Sequence, residues 1–387
     1  MDSEIYAGRE QTLVKHFILG KYLERFAHIV GSHWSVLTYV DCFAGPWNVR
    51  SNDLQDSSFA IALGELRKAR ETHASRGRSI RLRCFFLEKD AEAFVQLEAF
   101  GKSVADAEVA TRNASLEDSI AEVVAFINKG GEASFPFVFI DPTGWTGFEL
   151  DTIQPLLRLN PGEVLVNFMT GHIRRFLDSP DMDTQESLRG LFGSDEFRQR
   201  ISGLTKDDRD DAAVHEYSRR LKEVGDFTHV CSAIVLHPEQ DRTHFHLIYA
   251  TRNPKGVEVF KAAEKSAMAV QETARGEAQQ RAREGRTGQR SLLSSDELHD
   301  TSHYDFLRDR YLGKSKELVL QCLKARGCVP YDDVWALALT QPMTWESDLK
   351  GWIKDWGPSI RVDGMRPRQK VPQRGEANSL VWLATSD

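Results

Sequence analysis

Most of the signatures that fix a chemistry at sight are missing from this sequence. Its 387 residues hold five cysteines, Cys42, Cys84, Cys231, Cys322 and Cys328, scattered and never arranged as CxxC. That spacing supports neither a disulfide framework nor a zinc ribbon, and it predicts a reduced, cytoplasmic protein. No apolar run approaches the roughly 18 residues of a membrane helix. The start, MDSEIYAGRE, is acidic and polar, without secretory or transit character, so no membrane association is expected. A nicotinamide site needs GxGxxG and an acid about 20 residues on, and a P-loop needs GxxxxGK[ST]; both are absent. GxSxG is also missing, which argues against a serine hydrolase. His244 and His246 of THFHLIY share one face of a strand. No third ligand follows at a matching spacing and there is no HExxH, so no metal is expected. Excess positive charge is lacking as well. The net charge of −7 argues against a chain that coats nucleic acid. A local basic patch would still act over about one Debye length, roughly 8 Å.

What is present is an ordinary globular composition, 41% hydrophobic and 28% charged, in a chain long enough for two domains. QTLVKHFILGKYLERFAHIV (11–30) places Leu13, Phe17, Ile18, Tyr22, Leu23 and Phe26 at helical spacing. Strands and helices then alternate. Strands are read at 36–41, 80–90, 108–113, 135–141 and 162–169, with helices at 57–70, 91–100, 115–130 and 148–159. Ser57 and Ser115 are placed to cap two of these helices. HVCSAIVL (229–236) and THFHLIYAT (243–251) read as an antiparallel pair. Repeated βα units predict a parallel sheet covered by helices on both faces. The closing antiparallel pair suits the sheet of methyltransferases better than a nicotinamide domain.

In such sheets ligands bind beyond the carboxyl ends of the strands, and the polar residues Asp41, Glu88, Asn113 and Asp141 fall there. The turn DCFAGPW after the first strand has one glycine, too few for a dinucleotide. An adenosyl group carrying methionine asks for less. Asp41, Phe43, Ala44 and Gly45 would seat its methionine end, the Glu88 carboxylate the ribose hydroxyls and Asn113 the adenine edge. The alternative is a tight turn with no ligand. Asp141-Pro142, followed by Trp145, stands where amino-group methyltransferases hold the target nitrogen. Asp141 would accept from the amine, the proline turn would aim backbone carbonyls and Trp145 would stack on the base, in a reaction that is mostly alignment. The alternative is an Asp that caps the next helix, with Trp145 in the core.

Residues 262–300 are charged, Gly/Ser-spotted and almost free of large apolar residues before Leu292, which predicts a solvated helix and a linker. Beyond them come helix candidates at 316–327, 331–340 and 345–357, then two strands flanking DGMRPRQKVPQRGEAN. That is the order of a winged helix. Its wing carries Arg361, Arg366, Arg368, Lys370 and Arg374, a set suited to phosphate contacts that position without reading sequence. A protein-interaction module is the alternative, and Trp352 and Trp356 are expected in its core. The expected division is thus a Rossmann-like domain over 1–261, a charged helix and linker over 262–303, and a winged helix over 304–387.

KHFILGKYL, YVDCFAGPW, FFLEKD, FVFIDPTGW, VLVNFM and ATRNPKGVEVFK occur here in an order and spacing that resembles the three-Cys-motif partner protein family over roughly residues 10 to 265. The C-terminal part resembles the GMT-like winged-helix domain often attached to it. The resemblance implies a class I S-adenosylmethionine-dependent methyltransferase fold and cofactor contacts at Asp41, Phe43, Ala44, Gly45 and Glu88. It also implies a target-side role for Asp141, and a radical-SAM-like three-cysteine protein as partner. The chain departs from the family pattern at Trp47, where FAGPG is usual, and at Thr143, where DPFG is usual. The reading that results is methyl transfer to a nucleic-acid base amine. Its alternative is a non-catalytic or cofactor-retaining regulatory partner that binds nucleic acid.

Overall fold

The computed structural model describes residues 4–46, 49–51, 53–289 and 294–383. The chain divides into two compact units, Met1–Val230 with Ile234–His299, and Cys231–Ala233 with Asp300–Asp387.

The first unit begins with helix α1 (Glu10–Gly31) and strand β1 (Val36–Asp41). Then α2 (Ser58–Ala74), β2 (Arg81–Glu88), α3 (Ala91–Ser103), β3 (Glu108–Asn113), α4 (Leu116–Asn128), β4 (Ser134–Ile140), α5 (Leu150–Leu157) and β5 (Glu163–Phe168) alternate. Four helices follow: α6 (Thr170–Phe176), α7 (Met182–Phe192), α8 (Glu196–Ile201) and α9 (Lys206–Gly225). Strands β6 (His229–Leu236) and β7 (Thr243–Thr251), the long α10 (Pro254–Thr287) and the short α11 (Ser295–Leu298) complete it.

All seven strands join one sheet in the order β3-β2-β1-β4-β5-β7-β6, with β1 to β5 parallel and β7 antiparallel to β5. The first five follow the 3-2-1-4-5 order of doubly wound sheets. The reversed β7, inserted ahead of β6, makes it the Rossmann-like methyltransferase arrangement. Every residue of β1 and β5 is buried, because helices cover both faces of a parallel sheet. On one face Tyr22 of α1 sets its ring 5.3 Å from Phe137 and 5.0 Å from Tyr249. The other face carries a large core cluster, running from Val40 and Phe85 through Phe148 and Phe168 to Tyr217 and Ile248. Ser57 and Ser115 cap their helices as expected, accepting from the Ala60 and Asp118 amides.

Two expectations change. α10 starts at Pro254 and is not merely solvated. It buries Ala263, Ala267, Met268, Ala274 and Ala278, together with polar Lys261, Glu264, Gln271 and Arg275. Lys261 pairs with Glu264 at 2.5 Å, and the Gln271 side chain accepts from the Leu236 amide. A face written in alanines and partnered polar groups packs closely yet carries no large-apolar signal. Residues 170–225, from which no element is read above, supply α6 to α9, and their Leu188, Leu191, Phe192 and Tyr217 enter the core.

The second unit contains α12 (Ser302–Arg326), β8 (Cys328–Pro330), α13 (Tyr331–Ala338), α14 (Glu346–Trp356), β9 (Ile360–Asp363) and β10 (Ser379–Trp382). Its strands form an antiparallel sheet in the order β8-β10-β9. α12 begins at Ser302, earlier than the expected 316, and β8 is a strand too short to read from sequence. Trp335, Leu349, Trp352 and Leu380 form the buried interior.

Candidate functional site

Strand register brings the polar residues to one edge. Asp41 lies level with Phe86 of β2 and Phe139 of β4, while Glu88 lies level with Asn113 of β3. Glu88 and Asp141 each stand two residues beyond Asp41's level, at about 3.3 Å per residue. They share that height with Asn113 and with the turn that holds Phe43, Ala44 and Gly45.

The turn is braced from below. Asp41 is fully buried, and its carboxylate accepts from Ser58 Oγ at 2.6 Å, Tyr39 Oη at 3.2 Å and the Phe43 amide at 3.2 Å. The Ala44 amide donates to the Leu87 carbonyl at 2.7 Å, which locks the turn to β2. Burial pushes the Asp41 pKa up to about 6, with the nearby Asp141 charge adding to the rise and the Ser58, Phe43 and Tyr39 donors opposing it. Asp41 therefore shapes the turn from beneath and leaves the backbone of Phe43 to Gly45 above it. Trp47 lies outside the described residues.

The loop that follows is tied to the chain's N-terminal segment. Asp56 accepts from the Arg50 amide, from the Ser51 amide and hydroxyl, and from the Arg9 guanidinium. Burial pushes its pKa up, but these donors outweigh it and hold the carboxyl at about 2.

Glu88 is 4% exposed, and its Oε1 accepts from the Asp90 amide at 2.7 Å, which orients the carboxylate at the end of β2. Asn113 is exposed. Its amide nitrogen donates to the Glu88 and Lys89 carbonyls at 2.8 and 3.2 Å, so it fastens the β2 end to the β3 end.

Asp141 is engaged on both oxygens. Lys15 of α1 reaches Oδ2 at 2.5 Å, and Asn167 of β5 donates to Oδ1 at 2.7 Å. Neither partner was visible in the motif, because Lys15 is 126 residues from Asp141 in the chain. Pro142 is buried, and Trp145 is half-buried against the α5–α9 core. Trp145 donates its indole N–H to Ser187 Oγ at 3.2 Å and lies 4.5 Å from the Phe176 ring. An Asp capping the next helix is not what the structure shows, since the N-cap of α5 is Glu149. Phe43 approaches the same loop, its ring 3.8 Å from where a Cβ on Gly147 (φ +87°) would stand.

In the second unit, Arg361 forms a two-point pair with Asp363, and Arg366 pairs with Glu376 at 2.6 Å. Arg374 stacks over Trp335 at 5.1 Å. Arg368, at φ +69°, and Lys370 are exposed. The charge of this basic segment is thus partly neutralised locally, by acids that flank the basic run or lie beyond it.

No protein-family model matches the chain, and no curated protein matches it. Among solved structures it is similar to a DUF519-family protein from Legionella pneumophila, with 11% identity, 68% of this chain and 94% of that one covered and a TM-score of 0.41. It is also similar to a proposed methyltransferase from Thermobifida fusca (12% identity, 64% and 83% covered, TM-score 0.34). A third is a loganic acid methyltransferase with SAH (10% identity, 72% and 90% covered, TM-score 0.30). At such values these likenesses carry no argument about activity. It is the strand order and the reversed β7 that give the first unit its Rossmann-like methyltransferase fold.

Proposed function

We propose that the chain is an S-adenosylmethionine-dependent methyltransferase that acts on a nucleic-acid base amine. The observation that carries this reading is the level row of Asn113, Glu88, the Phe43–Gly45 turn and Asp141 across four adjacent strand ends. The donor set suits the cofactor. The Glu88 carboxylate would take the ribose hydroxyls, the Phe43–Gly45 backbone the methionine end, and the strand-end segment at Asn113 the adenine. Asp41, which has no cationic partner among its hydrogen bonds, supplies negative potential beneath the turn where a sulfonium and an ammonium would lie. When bound, the cofactor provides an electrophilic methyl group. Asp141, held by Lys15 and Asn167, orients the amine by accepting one of its hydrogens, and Pro142 keeps the turn rigid.

The order α12-β8-α13-α14-β9-β10 supports a winged helix in the second unit. There Arg361, Arg366, Arg368, Lys370 and Arg374 would meet phosphates. The resemblance to three-Cys-motif partner proteins extends the reading to a radical-SAM-like three-cysteine partner in the cytoplasm. One observation favours a second reading, in which the chain is a regulatory partner without its own turnover. Asp141 already has two internal partners, and Trp145 is tied to Ser187 rather than free to stack.

Transfer of tritiated methyl groups to single-stranded DNA and RNA separates the two readings. Incorporation that falls at least about a hundredfold in Asp141→Ala, with cofactor affinity kept, supports catalysis of the kind expected from lost positioning. No incorporation by wild-type protein that binds the cofactor supports the regulatory reading.

A further inference from the structure

Past Asp141, the carboxyl edge of the sheet continues onto β5 and β7, and here the first unit collects cations. Phe168 and His246 are level in the antiparallel pair. The residues that follow Phe168 therefore rise beside those that precede His246, and a Cβ on Gly171 would stand 3.1 Å from the His244 carbonyl oxygen and 3.6 Å from an Arg242 guanidinium nitrogen. Arg174 and Arg175 stand on α6 three and four residues beyond Gly171, the spacing that puts side chains on one helix face.

The charges there do not balance. Arg174 pairs with Asp210 at 2.6 Å. Arg242 donates its Nε to the Gln240 side chain at 2.7 Å, and Arg175 is exposed. Among the described residues neither Arg242 nor Arg175 makes an ion pair. Burial and the like charges of Arg174 and Arg175 lower the Arg242 pKa, with Asp210 opposing them. An arginine stays protonated regardless, so the three arginines carry more positive charge than Asp210 balances. His244 adds no charge at neutral pH: burial first, then His237, Arg242, His172 and Lys15, lower its pKa to about 4. Because Lys15 is the partner of Asp141, its effect on His244 also ties the cluster to the acceptor side of the edge. The cofactor side, by contrast, presents the acids Asp41 and Glu88.

We propose that Arg242 and Arg175, backed by Arg174, form an anion site that receives a phosphate of the acceptor while Asp141 holds its amine, an inference that rests on the methyltransferase reading. Guanidinium forks match phosphate oxygens two at a time and suit this ligand class.

Fluorescence polarisation with a short fluorescein-labelled single strand tests this on the full chain, with adenosine 5′-monophosphate as a second, competing probe. Arg242→Gln is expected to weaken strand binding about tenfold, and Arg242→Gln with Arg175→Gln further. The log–log salt slope should fall by about 0.7 for each arginine removed. Arg242→Lys should restore the slope but only part of the affinity, which a merely structural role would not produce. If the mononucleotide alone binds with the same arginine dependence, the phosphate comes from a small acceptor and the site stands. Unchanged affinity and slope in the double variant, or no binding of either probe to wild type, would overturn the proposal. S-adenosylmethionine affinity, measured on the same samples, should not change. Its absence in wild type, with arginine-dependent strand binding intact, would sink the methyltransferase reading and leave the anion site standing.

Discussion

Replacing Asp41 by Asn should change how stability depends on pH. In the folded protein the Asp41 carboxyl titrates at about 6, against 3.8 for the ordinary group. Between those values the folded state keeps a proton that the unfolded chain releases, so stability falls as pH rises from about 4 to 6 and then levels off. The shift of about 2 units corresponds to about 3 kcal/mol, at roughly 1.36 kcal/mol per unit. Asn at this position removes the titration yet can keep the local bonds. Its carbonyl would still accept from the Phe43 amide, and its NH2 can donate to the Ser58 or Tyr39 hydroxyl. Urea denaturation of both proteins across about pH 4 to 7 reads the difference directly, because every other group titrates in both. Near pH 4 the two should agree within about 1 kcal/mol. By pH 7 Asp41→Asn should be the more stable, by as much as about 3 kcal/mol. A difference that stays flat, or one that turns against Asn as pH rises, would refute the burial argument.

Other perturbations probe other parts of the structure. Lys15→Met should cost about 1–3 kcal/mol in urea denaturation by stripping one partner from the half-enclosed Asp141, and should lower methyl transfer more than cofactor affinity. Gly256→Ala should destabilise by about 1–3 kcal/mol, because the new Cβ would stand 2.8 Å from Glu163 Oε1 and closer still to the Tyr249 hydroxyl. A melting temperature equal to that of wild type would show that this helix start can shift. If the proposed wing meets phosphates, Arg368→Ala with Lys370→Ala should weaken single-strand binding equally for all sequences and lower the salt slope by up to about 1.4, two charges at roughly 0.7 each.

The central strands were legible because they are buried on both faces and read as short apolar runs, with VLTYVD and FPFVFID each running into an acid. Helix starts at Ser57 and Ser115 were legible from their capping chemistry. α10 hid its buried face in alanines, and α9, KDDRDDAAVHEYSRRLKEVG, hides Tyr217 and Leu221 among charges that local ion pairs satisfy. At the sheet edge, Asp41, Glu88 and Asn113 were legible as strand ends, and Asp141 follows β4 directly. Their partners could not be found that way. Lys15, Asn167 and Ser58 meet the carboxylates only through tertiary packing, and Arg242 meets α6 only because β7 runs antiparallel to β5. Glu376 sits just beyond the basic run that follows β9, so its pairing with Arg366 follows from the β9–β10 hairpin and not from local composition.

Calorimetric titration of S-adenosylmethionine into the wild-type protein and into Glu88→Ala tests the proposed cofactor edge most directly. The ribose bonds assigned to the carboxylate predict saturable binding by wild type, weakened in Glu88→Ala by about 1.5–3 kcal/mol. No binding by wild type, or equal binding by the two proteins, would contradict the placement of the cofactor at the ends of β1 and β2.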